Sequence, residues 1–147
     1  MAEVNLDRLR QLAGEIRRAL HQLRALGEAP EEEFLADAKA VNSAKYLFIV
    51  ACEASIDICN HLSARRGGRA PEDYSDCFQV LQEMEVLDAD LSRRLTRMAR
   101  FRNLLVHLYW KVNDARVYQA IRQDLGDYEL YLGAIARYLS DDLGSKS

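Results

Sequence analysis

One short segment of the chain places four polar side chains in an otherwise apolar stretch. All four fall within eight residues: Arg102, Asn103, His107 and Tyr109. Histidine ordinarily titrates near neutral pH, so His107 can take up and release protons in catalysis. The Arg102 guanidinium is permanently charged and fork-shaped, which suits phosphate oxygens, and Asn103 can orient His107 or donate to a phosphate. The segment therefore combines an acid–base group with a phosphate-binding cation.

Helical geometry decides which of these side chains can act together. At about 100° of rotation per residue, Arg102 and Tyr109 differ by only about 20° and would share one face. Arg102 and His107 lie about 140° apart, so one ideal helix does not direct both at the same atom. Three arrangements would resolve this: the arginine side chain bends round, the helix ends near His107, or a second subunit completes the site. A simpler alternative makes His107 a core histidine and Arg102 a surface ion-pair partner.

The elements that hold this segment are predicted to be helices throughout. Apolar residues recur at three- and four-residue spacings, and no segment alternates with period two for long enough to be a strand. The predicted helices cover about Leu6–Leu23, Glu31–Ala64, Ser75–Glu85, Asp90–Tyr109 and Asp114–Leu139. Short connections between them favour an all-α, up-and-down bundle of about five helices in a single domain over residues 1–147. Long outer helices of this kind often dimerise through a leftover apolar face, so we expect a homodimer.

Composition excludes several classes of protein. The 147 residues are 49% apolar and 29% charged, which is ordinary globular composition. The net charge of −3 excludes a uniformly basic nucleic-acid coat, although not a local basic patch. The longest apolar run, Tyr46–Cys52, is far too short to span a bilayer, so we expect a cytoplasmic protein with no membrane partner. Cys52, Cys59 and His61 lack zinc-finger spacing, so neither a metal nor a cofactor is predicted.

The polar residues of this segment resemble a motif of a known protein family. Arg102, four intervening residues, His107, one residue and Tyr109 match the R-x4-H-x-Y motif of HEPN-superfamily proteins. More narrowly, the chain looks like the HepT-like toxins of HEPN/MNT toxin–antitoxin modules. The Arg102-Asn103 pair agrees with the family pattern, and Glu53–Leu62 looks like the family's acidic second-helix segment. The resemblance covers about Val41–Leu139.

The resemblance implies a metal-independent endoribonuclease toxin that acts on RNA as a homodimer, with two copies of the motif facing each other across a cleft. His107 would then be the acid–base group, and Arg102 would stabilise the extra charge on phosphorus. The expected product carries a 2′,3′-cyclic phosphate. The family further implies a cognate minimal nucleotidyltransferase as antitoxin, which transfers AMP onto Tyr109.

An acidic pair and a basic cluster each allow two interpretations, and a second function stays open. Glu53 and Asp57, four residues apart, either support Arg102 or His107 from the second helix or form a polar stripe that neutralises nearby arginines. A basic cluster leads into the motif: Arg93, Arg94, Arg97 and Arg100. It is either a solvated, ion-paired face or a track for RNA phosphates or an acidic partner. The alternative function is a non-catalytic helical dimer that binds a minimal nucleotidyltransferase and serves as its modification substrate.

Overall fold

A computed structural model describes residues 3–145, with side chains as far as residue 141. Within this range the chain forms seven α-helices and one short 3₁₀ helix, and no strand, which confirms the all-helical fold. The helices are α1 (Leu6–Leu26), α2 (Glu31–Ala36), α3 (Ala38–Arg65), α4 (Asp76–Glu83), α5 (Ala89–His107), α6 (Asp114–Gln123) and α7 (Leu125–Ser145), with the 3₁₀ helix at Tyr109–Lys111. The predicted domain runs over residues 1–147, so its first two and last two residues lie outside the described range.

The predicted helix Glu31–Ala64 is divided at Asp37, which is one reason why seven helices replace the expected five. The Asp37 backbone is extended, and its carboxylate accepts hydrogen bonds from the amides of Lys39 and Ala40. Those bonds satisfy two N–H groups that have no partner inside α3. The three- and four-residue spacing of apolar residues continues across Asp37, so the hydrophobic pattern does not show the break.

The predicted helix Asp114–Leu139 is divided in the same way at Asp124. The Asp124 backbone ends α6, and its carbonyl accepts a bond from the Asp127 amide three residues on. The start of this segment follows the prediction, because Asn113 caps α6 by accepting from the Ala115 amide. The helices α4 and α5 begin and end within two residues of the predicted bounds.

The central helix of the bundle is α3, whose buried residues cover about 200° of its circumference. It is long and apolar enough to cross a membrane by length and composition alone, but most of its apolar window is buried inside the protein, as in a core helix. α1 packs along α3 in the antiparallel sense, since Asn5 at the start of α1 contacts His61 near the end of α3. α5 also packs on α3, where the rings of Phe48 and Phe101 meet edge to face, 5.6 Å apart.

All three cysteines lie in this core. Cys52, Cys59 and Cys77 are free and buried. Burial raises the pKa of the Cys52 thiol to about 12, so this sulfur stays protonated and unreactive near neutral pH. The Cys59 thiol donates a hydrogen bond to the Cys77 carbonyl, 3.0 Å away, which ties α3 to α4.

The loop between α3 and α4 is held by charge rather than by apolar packing. Gly67 begins it with a positive φ of 78°, a conformation that suits glycine at the end of a helix. The Arg69 guanidinium then forms two hydrogen bonds with Asp76 and also pairs with Glu83. The arginine holds the pKa of Asp76 at about 2. This loop carries Tyr74, whose ring contacts the functional site described below.

Two buried tyrosines on α7 give a matched test of the core. The Tyr131 hydroxyl donates a hydrogen bond to the Ser55 carbonyl of α3, 2.7 Å away. Tyr131→Phe should therefore lower the free energy of unfolding by about 1 kcal/mol, measured by urea denaturation.

Tyr128→Phe is the control. Its ring is just as buried, but its hydroxyl has no hydrogen-bond partner in the described part of the chain. Removing that hydroxyl should leave the free energy of unfolding unchanged or raise it. Equal losses in the two variants would contradict this account of the α3–α7 contact.

Candidate active site

Arg102 is fixed by three different elements. Its Nη2 pairs with the Glu53 carboxylate of α3, and its Nη1 donates to the Asn103 side-chain oxygen, 3.0 Å away. The Tyr74 ring of the α3–α4 loop packs over the guanidinium, 4.4 Å from centroid to Cζ. Arg102 is therefore an ion-pair partner, as the simpler alternative had it, but its side chain is only 12% exposed and does not lie on the surface. Glu53 is the acid that reaches Arg102.

His107 is the last residue of α5, and its side chain is exposed. The alternative of a core histidine is therefore wrong. The imidazole forms no hydrogen bond or ion pair with any residue that the structure describes, so both ring nitrogens are open to a ligand. Because α5 remains helical from Arg102 to His107, the two side chains keep their divergence of about 140° around the helix axis.

Tyr109 lies beyond the end of α5 and not on it. The helix ends two residues before the predicted position, and Tyr109 starts the 3₁₀ helix. Its hydroxyl donates a hydrogen bond to the Asn42 side chain, 2.6 Å away, and Lys45 Nζ lies 4.3 Å from the ring centroid. The expectation that Tyr109 and Arg102 share one helix face is wrong. Their partners on α3, Lys45 and Glu53, are eight residues apart, or about 12 Å along the helix.

Three residues that contact the motif escaped the sequence analysis: Asn42, Lys45 and Tyr74. Lys45 is 5% exposed and forms an ion pair with Asp114, 3.1 Å away. A lysine directly before the apolar run Tyr46–Cys52 was the available signal, since a buried cation needs a partner. Asn42 and Tyr74 gave no signal, because their roles depend on contacts between distant parts of the chain.

Asp57 and His61 lie on α3 but are turned towards α1. The Asp57 carboxylate is paired with Arg8 at 4.0 Å; partial burial raises its pKa, and Arg8 opposes that shift. His61 Nε2 accepts a hydrogen bond from the Asn5 amide, 2.9 Å away. Partial burial lowers the pKa of His61, and Arg65 and Arg8 lower it further, which keeps the acceptor form. Of the two predicted supporting acids, only Glu53 contacts the motif.

The basic cluster on α5 divides into two parts. Arg93 and Arg94 are paired with Asp90, and Arg94 also bonds to Asp127 at 2.6 Å. Arg97 and Arg100, one to two turns further on, form no ion pair with a described residue. The ion-paired interpretation therefore holds for the start of the cluster and not for the part nearest His107. No group of three or more histidine, cysteine or acidic side chains is placed to hold a metal within residues 3–141.

Comparison with known proteins bears on this arrangement. Residues 16–135 match the family model described as "Ribonuclease HepT-like". The chain belongs to the HepT-like ribonuclease family. Among curated relatives of this HepT-like chain, the mRNA nuclease HepT of Shewanella oneidensis is 32% identical over 84 residues, which are 57% of this chain and 63% of that protein, less than two thirds of its length. The tRNA nuclease HepT of Aphanizomenon flos-aquae is 27% identical over 84% of each chain.

Solved structures agree with the HepT-like fold. The tri-AMPylated HEPN toxin of Shewanella oneidensis, in complex with an MNT antitoxin, superposes with a TM-score of 0.84 at 25% identity and covers 89% of this chain and 98% of that one. The cytosolic protein YutE of Bacillus subtilis, of unknown function, has a TM-score of 0.82 at 20% identity and covers 98% of this chain and 96% of its own. The second likeness supports the fold alone.

The two predicted supporting acids can be compared directly. Glu53→Ala would leave the mostly buried Arg102 guanidinium without its counter-ion, so we expect a loss of about 1–3 kcal/mol in the free energy of unfolding. Asp57→Ala removes only a long pair between two exposed side chains and should cost less than about 1 kcal/mol. Both substitutions lie in α3 and are compared by urea denaturation at neutral pH. A larger loss for Asp57→Ala would show that Arg102 does not depend on Glu53.

Proposed function

We propose that this chain is a metal-independent endoribonuclease toxin that acts as a homodimer in the cytoplasm. The observation that carries the proposal is the contrast between the two motif residues: the Arg102 cation is fixed by Glu53, Asn103 and Tyr74, while the His107 imidazole is exposed and without a partner in the described structure. A fixed positive charge and an available acid–base group are what phosphodiester cleavage requires. Membership of the HepT-like family supports RNA as the substrate.

The proposed reaction is a transesterification within the RNA. The ribose 2′-oxygen attacks the adjacent phosphorus and loses its proton to a base. The bond to the 5′-oxygen breaks, and that oxygen takes a proton from an acid, which leaves a 2′,3′-cyclic phosphate and a 5′-hydroxyl. His107 is the acid–base group of this proposal. Its exposed position at the end of α5 supports that role.

Arg102 is the proposed stabiliser of charge on the phosphorane. A guanidinium has five N–H donors. Glu53 and Asn103 engage one donor on each terminal nitrogen, and Nε is buried without a partner among the described residues. One N–H on each terminal nitrogen therefore remains for a phosphate oxygen. Asn103 takes a positioning role, because its side-chain oxygen holds Nη1.

A homodimer supplies what one copy lacks. One histidine does not easily serve as base and acid in the same step, and Arg102 and His107 of one copy diverge by about 140°. Two exposed apolar side chains are suited to a contact between copies. Val106, inside the motif, is 41% exposed, and Trp110, directly after it, is 77% exposed. Val106 lies within about 40° of Arg102 around α5. Contact on this side would bring the motifs of two copies into one cleft.

The nuclease proposal is tested with purified protein and single-stranded RNA. Wild type should cleave RNA in saturating EDTA and leave 2′,3′-cyclic phosphate ends, identified by mass spectrometry. His107→Ala and Arg102→Ala should each lose at least about 100-fold in rate, because a general acid–base group or a charge-stabilising donor typically contributes that much.

Circular dichroism and sedimentation serve as controls, since both variants should keep helicity and dimerisation. Loss of wild-type activity in EDTA would overturn the metal-independent mechanism. An active protein that sediments as a monomer at micromolar concentration would overturn the shared cleft.

Tyr109 is the proposed AMP acceptor for a cognate minimal nucleotidyltransferase. Its hydroxyl is held by Asn42 at 2.6 Å, and its side chain is 37% exposed. A phosphate attached there would lie beside Asn42 and Lys45 rather than beside Arg102. Inhibition would therefore come from covering the cleft and adding negative charge at its rim, and not from occupying the Arg102 guanidinium.

Incubation with the nucleotidyltransferase, ATP and magnesium should add AMP to Tyr109 and suppress RNA cleavage. Tyr109→Phe keeps the ring over Lys45 but lacks the acceptor oxygen, so it should resist modification and stay active. Peptide mass spectrometry locates the adduct. AMP found on Tyr118 or Tyr128 of the wild type, or on Tyr109→Phe, would contradict this assignment.

A non-catalytic dimer that serves only as a modification substrate is the second candidate. The exposure of Tyr109, together with the 12% exposure of Arg102, is the observation that favours it. In that case Tyr109 would accept AMP while wild type and His107→Ala alike leave RNA intact.

A further inference from the structure

A pocket near the end of α5 has no role in the function proposed so far. It lies where the second half of α5, the 3₁₀ helix and the start of α6 meet, and its volume is about 300 Å³. That size falls at the lower end of the range for small-ligand pockets. Its floor is apolar, formed by Phe101, Leu104, Leu108 and Val112. Its rim is cationic, formed by Arg97, Arg100, Lys111 and Arg116.

The charges on this rim are largely uncompensated. Arg100 and Lys111 form no ion pair with a described residue, and Arg97 acts only at longer range, on the carboxylate of Asp127. Arg116 is bonded to Asp124 at 3.4 Å, and its guanidinium lies over the Phe101 ring, 4.9 Å from the centroid. Elsewhere on the same helix Arg93 and Arg94 are neutralised by acids. Three of the four rim cations thus lack a close acidic partner among the described residues, in a protein whose net charge is −3.

The pocket is aligned with the proposed acid–base group. His107 and Arg100 are seven residues apart, which puts them within about 20° around α5 and about 10.5 Å apart along it. That distance is the rise of about three stacked nucleotides in one strand. Val106, on the side assigned to the contact between copies, lies about 160° from Leu104 in the pocket floor. A bound strand can therefore pass from His107 along α5 on the side away from Val106.

From this geometry we infer that the pocket binds a nucleotide of the RNA substrate, two or three positions from the scissile phosphate. The inference rests on the proposed nuclease function and deepens it. Arg100 and Lys111 contact the backbone phosphates, and the base lies on the apolar floor beside the guanidinium of Arg116. Cationic grooves with flat apolar or guanidinium surfaces are the usual way of holding single-stranded RNA. The pocket therefore binds unpaired RNA outside the catalytic motif.

The test compares two double variants in a His107→Ala background, so that RNA stays intact during the measurement. Arg100→Gln with Lys111→Gln removes two rim charges. Arg10→Gln with Arg93→Gln removes two exposed charges that are paired with Asp7 and Asp90 outside the pocket. Both double variants therefore change the net charge by the same amount. Fluorescence anisotropy with a labelled single-stranded RNA gives the affinity at several salt concentrations.

The rim variant should bind RNA on the order of ten-fold more weakly at low salt, and its plot of log affinity against log salt should be less steep by about 1.4, the value for two lost phosphate contacts. The control variant should match the background protein. Circular dichroism confirms folding in both cases. Equal affinity and equal slope for the two double variants would overturn the inference.

Two other results would also overturn it. If the rim variant loses self-association in sedimentation but keeps its RNA affinity, the pocket is a contact between copies. If it loses binding to the nucleotidyltransferase alone, the pocket is the antitoxin's docking site. Failure of the nuclease proposal is distinguishable, because wild-type protein with intact His107 would then cleave no RNA. If wild type cleaves RNA and the rim variant binds normally, only the pocket assignment falls.

Discussion

The Arg102 side chain carries a permanent positive charge and is only 12% exposed. Much of the structure follows from the need to compensate that buried charge. Such a charge needs a counter-ion and hydrogen bonds, which Glu53 and Asn103 provide. Glu53 can reach it only because α5 lies against α3, and Tyr74 can cover it only because the Arg69 pairs hold the α3–α4 loop in place. The position of the motif arginine thus depends on helix packing as well as on its sequence neighbour Asn103.

The same helix, α3, serves both the core and the site. It packs against α1, α2, α4, α5 and α6, while Asn42, Lys45 and Glu53 face the motif. The two points of contact with the motif are separated along α3. The proposed chemistry at Arg102 and the proposed modification at Tyr109 therefore lie at different ends of one stretch of α3. A modification at one end would act on the other through bulk and charge rather than through direct contact.

The sequence predicted what depends on local pattern. Helical period located the helices of the bundle, and side-chain chemistry singled out Arg102, His107 and Tyr109. The prediction of helix bounds failed at Asp37, where a capping side chain divides a helix without disturbing the spacing of the apolar residues. The sequence was also insufficient where partners are remote. It left open whether Asp57 supports the motif or neutralises a nearby arginine, and the structure pairs Asp57 with Arg8. It placed Tyr109 on a helix that ends two residues earlier. Such contacts between distant parts of the chain become evident only in the folded structure.

The long separations within the site bear on the order in which it forms. Arg102 and Glu53 are 49 positions apart, and Tyr109 and Asn42 are 67 positions apart. α1 and α3 are separated in the chain only by the short helix α2, so they can pair as a helical hairpin before the later helices pack, because such contacts need little loop closure. The contacts that fix Arg102 and Tyr109 also need α5 and the 3₁₀ helix. A chain in which only α1 and α3 have paired thus holds a framework in which neither Arg102 nor Tyr109 is yet fixed.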